Sequence, residues 1–174
     1  PYYVELKNAA PNYWYLIGAC IGDGKWTNTA DAVGTSVIPL YPITGETYDA
    51  KTGDGVLSWT GYLTTDGFKM VHVLGSWDEQ AGSSDGGTTI SWNDGGSKNI
   101  CVPENGIYTV KLNTKTLEMS IEKYTGTVKD YATMYITGEF DSWGIATGMK
   151  AFSTFGGAQN HDWVYDLTIS ADGG

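Results

Sequence analysis

Trp26 follows Gly22-Asp23-Gly24-Lys25, Trp77 follows Gly75-Ser76 and precedes Asp78-Glu79-Gln80, and Lys69 stands between Phe68 and Met70. An indole in a polar, glycine-containing loop either caps the end of a packed domain or stays wet as a flat apolar platform. Lys69 is either a solvated strand lysine or a ligand donor. Where Phe68 and Met70 face a core, strand alternation turns its ammonium outward, placed to donate to two hydroxyls. Two platforms and an outward ammonium suit a pyranose, whose puckered C–H face covers an indole while its hydroxyl rim meets polar side chains. Taking roughly 100 Å² of apolar surface from water per stacked ring contributes about 2.5 kcal/mol at ~25 cal/mol per Å². One ring alone binds weakly; two rings and a few hydrogen bonds give affinities between millimolar and micromolar. Trp92 lies between Asp85-Gly86-Gly87 and Asp94-Gly95-Gly96 and is a fourth candidate.

Composition favours a neutral ligand over a charged one. The 174 residues carry a net charge of −10, and all ten basic residues are Lys. Nucleic acid is a poor partner for an acidic surface without an Arg fork, because phosphate neutralisation supplies most of that affinity. A solvated acidic surface with no such role reads equally well from composition. Apolar runs are far shorter than the ~20 residues of a membrane-spanning helix. The chain holds 7 Trp, 12 Tyr and 4 Phe and is 41% hydrophobic, ample for a core.

Catalysis and metal chemistry find little support in the motifs. There is no P-loop or His-based triad, and carboxylate pairs such as Asp78-Glu79 are expected by chance among twenty acids. No cofactor is implied. Cys20 and Cys101 have neither CxxC spacing nor a His cluster, which argues against zinc and leaves one disulfide open. The Asp-Gly turns leave calcium open but lack the alternating acids of an EF-hand loop.

The elements that must position these residues read as strands throughout. Val56 to Leu63 alternates, with Leu57, Trp59 and Leu63 on one face. Phe68 to Leu74 follows the turn Thr64-Thr65-Asp66-Gly67 and places His72 on the face of Phe68 and Met70, as a core histidine. Ile107 to Leu112 and Leu117 to Ile121 flank a hairpin at Asn113-Thr114-Lys115-Thr116. Trp14 to Cys20, Val37 to Tyr41 and Ile90 to Trp92 complete seven strands, with Pro39 marking an edge or bulge. No stretch carries a helical stripe, and the pattern predicts an immunoglobulin-like β-sandwich over residues 1–126.

The chain then begins again. Trp14-Tyr15-Leu16-Ile17-Gly18 recurs as Met134-Tyr135-Ile136-Thr137-Gly138, and Trp143 stands where Trp26 stands in the first copy. The segment around Trp59 resembles that around Trp163, so both are assigned to cores. Thr65-Asp66-Gly67 matches Ala171-Asp172-Gly173. Residues 127–174 are read as the N-terminal part of a second, similar module, joined at Thr125-Gly126-Thr127-Val128.

The order of several motifs resembles the SusE/SusF family of outer-membrane starch-binding lipoproteins. They are Tyr15-Leu16-Ile17-Gly18, Trp59 within a strand, Asp66-Gly67-Phe68-Lys69-Met70, Gly75-Ser76-Trp77, and Asn99-Ile100-Cys101-Val102-Pro103-Glu104-Asn105-Gly106-Ile107-Tyr108. The family's usual second Phe after the Lys is Met70 here, and its lipid-attachment Cys would lie upstream of Pro1. The resemblance implies tandem surface-exposed β-sandwiches that hold starch or maltooligosaccharide without cleaving it. Expected partners are an α-glucan or other neutral polysaccharide, a TonB-dependent transporter and companion glycan-binding lipoproteins at the outer membrane. It also implies a site of two aromatics and one basic residue, matched by Trp26, Lys69 and Trp77. The competing reading is a non-binding spacer or scaffold module that contacts partner proteins.

Overall fold

Period-two alternation of large apolar residues builds most of this protein. A computed structural model of the chain describes residues 13–127, 131, 133–144, 147–151, 163–165 and 167. The strands in chain order are β1 (Tyr15–Gly18), β2 (Val37–Pro39), β3 (Tyr41–Pro42), β4 (Tyr48–Asp49), β5 (Asp54–Leu63) and β6 (Phe68–Val71). They continue as β7 (Gln80–Ser83), β8 (Ile90–Trp92), β9 (Gly106–Asn113), β10 (Glu118–Lys123), β11 (Lys150–Ala151) and β12 (Trp163–Val164). The helical residues among those described are two 3-10 turns, Ala30–Ala32 and Glu139–Asp141.

The first ten strands make two antiparallel sheets that share one core. Sheet I has the order β2-β1-β6-β7-β8; sheet II has the order β10-β9-β5-β3, with β4 also paired to β5. Opposed residues in sheet I lie on a common face, so Ile38, Leu16, Met70, Ala81 and Trp92 form one inward row. In sheet II, Leu57 opposes Leu112 and Trp59 opposes Val110. These inward rows form one buried cluster, which also contains Phe68, Leu63, Ile100 and Tyr108. The all-β architecture expected from the sequence is the one observed.

Trp59 sits in this core because the strand makes room for it. A Cβ placed on Gly61, two residues along the same face, would come within 2.1 Å of the indole. Trp59 therefore lies over Gly61, and the pair works as one apolar unit.

Several local expectations need correction. The predicted strand from Val37 to Tyr41 divides at Leu40: β2 is an edge of sheet I, while β3 pairs with β5 in sheet II. The turn after β9 is shifted one residue from the predicted position, because β9 runs through Asn113 and Leu117 takes a positive φ of 57° and is exposed, so β10 begins at Glu118. His72 is not in the core. The strand ends at Val71, and His72 lies half-buried against Trp14 with Nδ1 2.6 Å from Glu79 Oε2. β4 and β7 were not anticipated.

Of the expected second module, residues 168–174, which include Ala171-Asp172-Gly173, lie outside the described residues, as do Val128, His161 and Asp162. Tyr135 makes a bridge to Gly148 rather than a strand, and Trp163 is half-buried in the β11–β12 ribbon.

Cys20 and Cys101 both approach Gly67, and both thiols are free. Burial, reinforced by the neighbouring Cys101, pushes the Cys20 thiol up to about 12. Burial and Asp66 raise the half-buried Cys101 thiol as well.

Two predictions follow from this packing. Gly61→Ala should destabilise the fold by about 1–3 kcal/mol through overpacking, read as a lowered urea midpoint with an unchanged slope. Iodoacetamide at pH 8 should modify Cys101 before Cys20 in folded protein and both at similar rates in denaturant. Faster labelling of Cys20 in the native state contradicts its burial.

Candidate functional site

The outer face of sheet I carries the site, and the register of β6 sets it there. Phe68 and Met70 are fully buried, so Lys69 between them points to the opposite face. Ile17 opposes Lys69 on β1, and Ile17, Val37 and Val71 form a second, smaller apolar cluster on that outer face. Residues 19–36 leave β1 and return to β2 at the same end of the sheet. Their middle folds back over this face, and Ala32 packs on the cluster.

That returning loop carries Trp26. Its entry is fixed by Asp23, whose Oδ1 accepts from Ser36 Oγ at 2.8 Å and from the Lys25 backbone N–H at 3.1 Å. Asp23 Oδ2 lies 3.0 Å from Lys25 Nζ. Burial acts to raise the Asp23 carboxyl, but the hydrogen bonds from Lys25 and Ser36 outweigh it and hold the group below its ordinary 3.8. The loop between β6 and β7, residues 72–79, brings Trp77 from the other side. The two indoles are 39% and 37% exposed, with ring centroids 6.3 Å apart and planes inclined at 46°. They touch, at a separation within the contact range of aromatic pairs.

Trp26, Lys69 and Trp77 line one groove of about 400 Å³, together with Gln80, Gly95 and Asn99. Lys69 Nζ donates to Gln80 Oε1 at 2.9 Å and to Ser97 Oγ at 3.2 Å. Of the three N–H donors of the ammonium, two are thus engaged within the protein and one remains for a ligand. The expectation that Lys69 serves two hydroxyls is reduced to one. Ser97 reaches Lys69 because Gly82 lies beneath it: a Cβ at Gly82 would stand 2.2 Å from Ser97 Oγ. Asn99 also lines the groove, and among the described residues its side-chain amide, a donor and an acceptor, has no hydrogen-bond partner.

Trp92 is not part of this groove. The register Ala81 to Trp92 puts its ring on the inner face, where it packs edge-on against Trp14 at 5.4 Å and 80°. Gln80, Gly95 and Asn99 were missed in the sequence. Gln80 falls in β7, a short strand of small and polar residues, and Asn99 is legible only as part of a motif. Trp143 is the most exposed of the described aromatics at 69%, in a turn where Ser142 and Trp143 both take positive φ. Among the described residues, no group of His, Cys, Asp and Glu is placed to hold a metal ion, and no helix is long and apolar enough to cross a membrane.

No protein-family model, curated protein or solved structure matches this chain. The functional reading therefore rests on the groove and on the motif resemblance.

The Asp23 latch has a defined pH signature. Its folded-state pKa is depressed, so its contribution is complete above 3.8 and is lost as pH falls below that value. The Trp26 fluorescence, taken as wild type minus Trp26→Phe, should be flat from neutral pH down to about 4 and change only below it. A transition centred near pH 6 rules out Asp23 as the latch.

Proposed function

We propose that this protein holds an α-glucan such as starch or maltooligosaccharide, without cleaving it, on the outer face of sheet I. The observation that carries the reading is the convergence of Trp26, Trp77 and Lys69 on one groove from three separate segments of chain. Two partly wet indoles stack on the C–H faces of sugars, the remaining Lys69 N–H donates to one hydroxyl, and the Asn99 amide pairs with another. Glycoside hydrolysis draws on two opposed carboxylates; the groove lining instead offers stacking faces, one ammonium and the Asn99 amide.

The inclination of the rings favours a turning chain. Platforms at 46° to one another suit successive sugars that rotate along a curved α-linked chain, and they fit poorly under a flat, ribbon-like β-1,4 chain. The motif resemblance to the SusE/SusF family points the same way. On that reading the domain is an immunoglobulin-like module of a tandem lipoprotein at the outer membrane, serving glycan capture beside a TonB-dependent transporter. Weak single-site affinity then gains through several modules on one polymer.

Native electrophoresis through gels with and without amylopectin tests the proposal. Wild-type protein should be retarded. Trp26→Ala and Trp77→Ala should each abolish retardation and weaken maltoheptaose binding by roughly 70-fold, as expected from about 2.5 kcal/mol of stacking. Lys69→Ala should weaken it by about tenfold. Gly95, whose added Cβ would meet nothing within 4 Å, gives an independent probe: Gly95→Leu should fill the groove without disturbing the fold. Unchanged wild-type mobility in amylopectin removes the starch assignment, and a scaffold role then stands in its place.

A further inference from the structure

The two indoles come from loops that enter the site from different strands, so something must set their relative orientation. Ring contact alone cannot, because tilted aromatic pairs slide at little cost. The hydrogen bonds around Trp77 supply the constraint. Asn28, two residues after Trp26 and only 8% exposed, donates from Nδ2 to the Ser76 carbonyl at 2.8 Å. Its side-chain oxygen accepts from the Gly75 N–H at 3.2 Å, and its backbone oxygen accepts from the same N–H at 3.0 Å. Gln80, 6% exposed, donates from Nε2 to the Trp77 carbonyl at 2.7 Å while its Oε1 accepts from Lys69.

The Ser76 and Trp77 carbonyls belong to the two peptide planes that flank the Trp77 Cα. Fixing both planes fixes the backbone dihedrals of Trp77, and with them the direction in which its side chain leaves the chain. We propose that Asn28 and Gln80 are the positioning residues of the site: their buried amides lock Trp77 at its angle to Trp26 before any ligand arrives. This rests on the glycan-binding reading for its purpose, and on the hydrogen bonds for its geometry. Preorganised loops lose less entropy on binding, so the amides raise affinity without touching the sugar.

Each amide can be altered on one side only. Asn28→Asp keeps an acceptor for the Gly75 N–H and loses the donor to Ser76. Gln80→Glu keeps an acceptor for Lys69 and loses the donor to Trp77. Near-ultraviolet circular dichroism, as the difference between each protein and its own Trp26→Phe counterpart, reports the coupling of the two indoles without ligand. Both variants, and Asn28→Ala, should lose most of that signal while keeping a cooperative unfolding transition. Maltoheptaose affinity should fall by about tenfold in Asn28→Ala, and the substitution should add less than twofold in a Trp77→Ala background. An unchanged indole-coupling signal in folded Asn28→Asp and Gln80→Glu overturns the proposal, as does an equal loss of affinity in both backgrounds. Should wild-type protein ignore maltoheptaose altogether, the glycan assignment fails while the dichroism still decides the role of the amides.

Discussion

The register of β6 against β1 is the constraint on which this site depends. Leu16 opposes Met70 and Ile17 opposes Lys69, so the core side of one strand fixes the core side of the other. Because the side-chain period of a strand is two, a slip of one residue would drive Lys69 into the cluster around Trp59 and turn Phe68 and Met70 out to water. Burial of an ammonium in that cluster has no compensating partner there, and two large apolar side chains would lose their desolvation energy. The position of the ammonium on the outer face is therefore a consequence of core packing. On the glycan-binding reading, the chemistry draws its accuracy from residues that never meet a ligand.

The rest of the groove is assembled differently. Its walls are loops, and their order comes from short hydrogen-bonded motifs: Asp23 bridging Ser36 and Lys25, Ser76 bonding Asp78, and the amides of Asn28 and Gln80. Apolar support is confined to the small cluster of Ile17, Ala32, Val37 and Val71 beneath the returning loop. This division has a physical reason. Indoles that are to stay partly wet cannot be held by burying them, so the backbone that carries them must be held instead. Polar side chains at 6–8% exposure do this well, because a buried amide left without its partners is costly.

The sheets were legible because the strands of the core obey alternation strictly, as Leu57, Trp59 and Leu63 do against Tyr108, Val110 and Leu112. Lys69 between two apolar neighbours could be assigned a face for the same reason. What escaped was set by pairing alone. Gln80-Ala81-Gly82-Ser83 has no β-branched or aromatic residue and becomes a strand because β6 and β8 lie on either side of it. With β7 unseen, Gln80 could not be recognised, and Trp92, although read within a strand, could not be assigned to the inner face opposite Ala81. His72 was misplaced because alternation was extended to Leu74, three residues past the end of β6, where the chain turns to meet Glu79. The convergence of Trp26 with Trp77 required knowing that residues 19–36 fold back across the sheet, which no local pattern encodes.

The identity of the cation fits the same logic. A lysine ammonium is a compact charge with three donors on a flexible stem, whereas an arginine presents a rigid planar fork suited to carboxylates and phosphates. Here Gln80 and Ser97, both neutral, take two donors and fix the direction of the third. An ammonium held this way can serve one hydroxyl in a defined direction. It offers no bidentate face to an anion, and the chain around it carries a net charge of −10 that repels one. On the glycan-binding reading, selectivity for an uncharged ligand would arise from two independent sources, the geometry of one side chain and the field of the whole chain. The inclined indoles would then choose among uncharged ligands by shape.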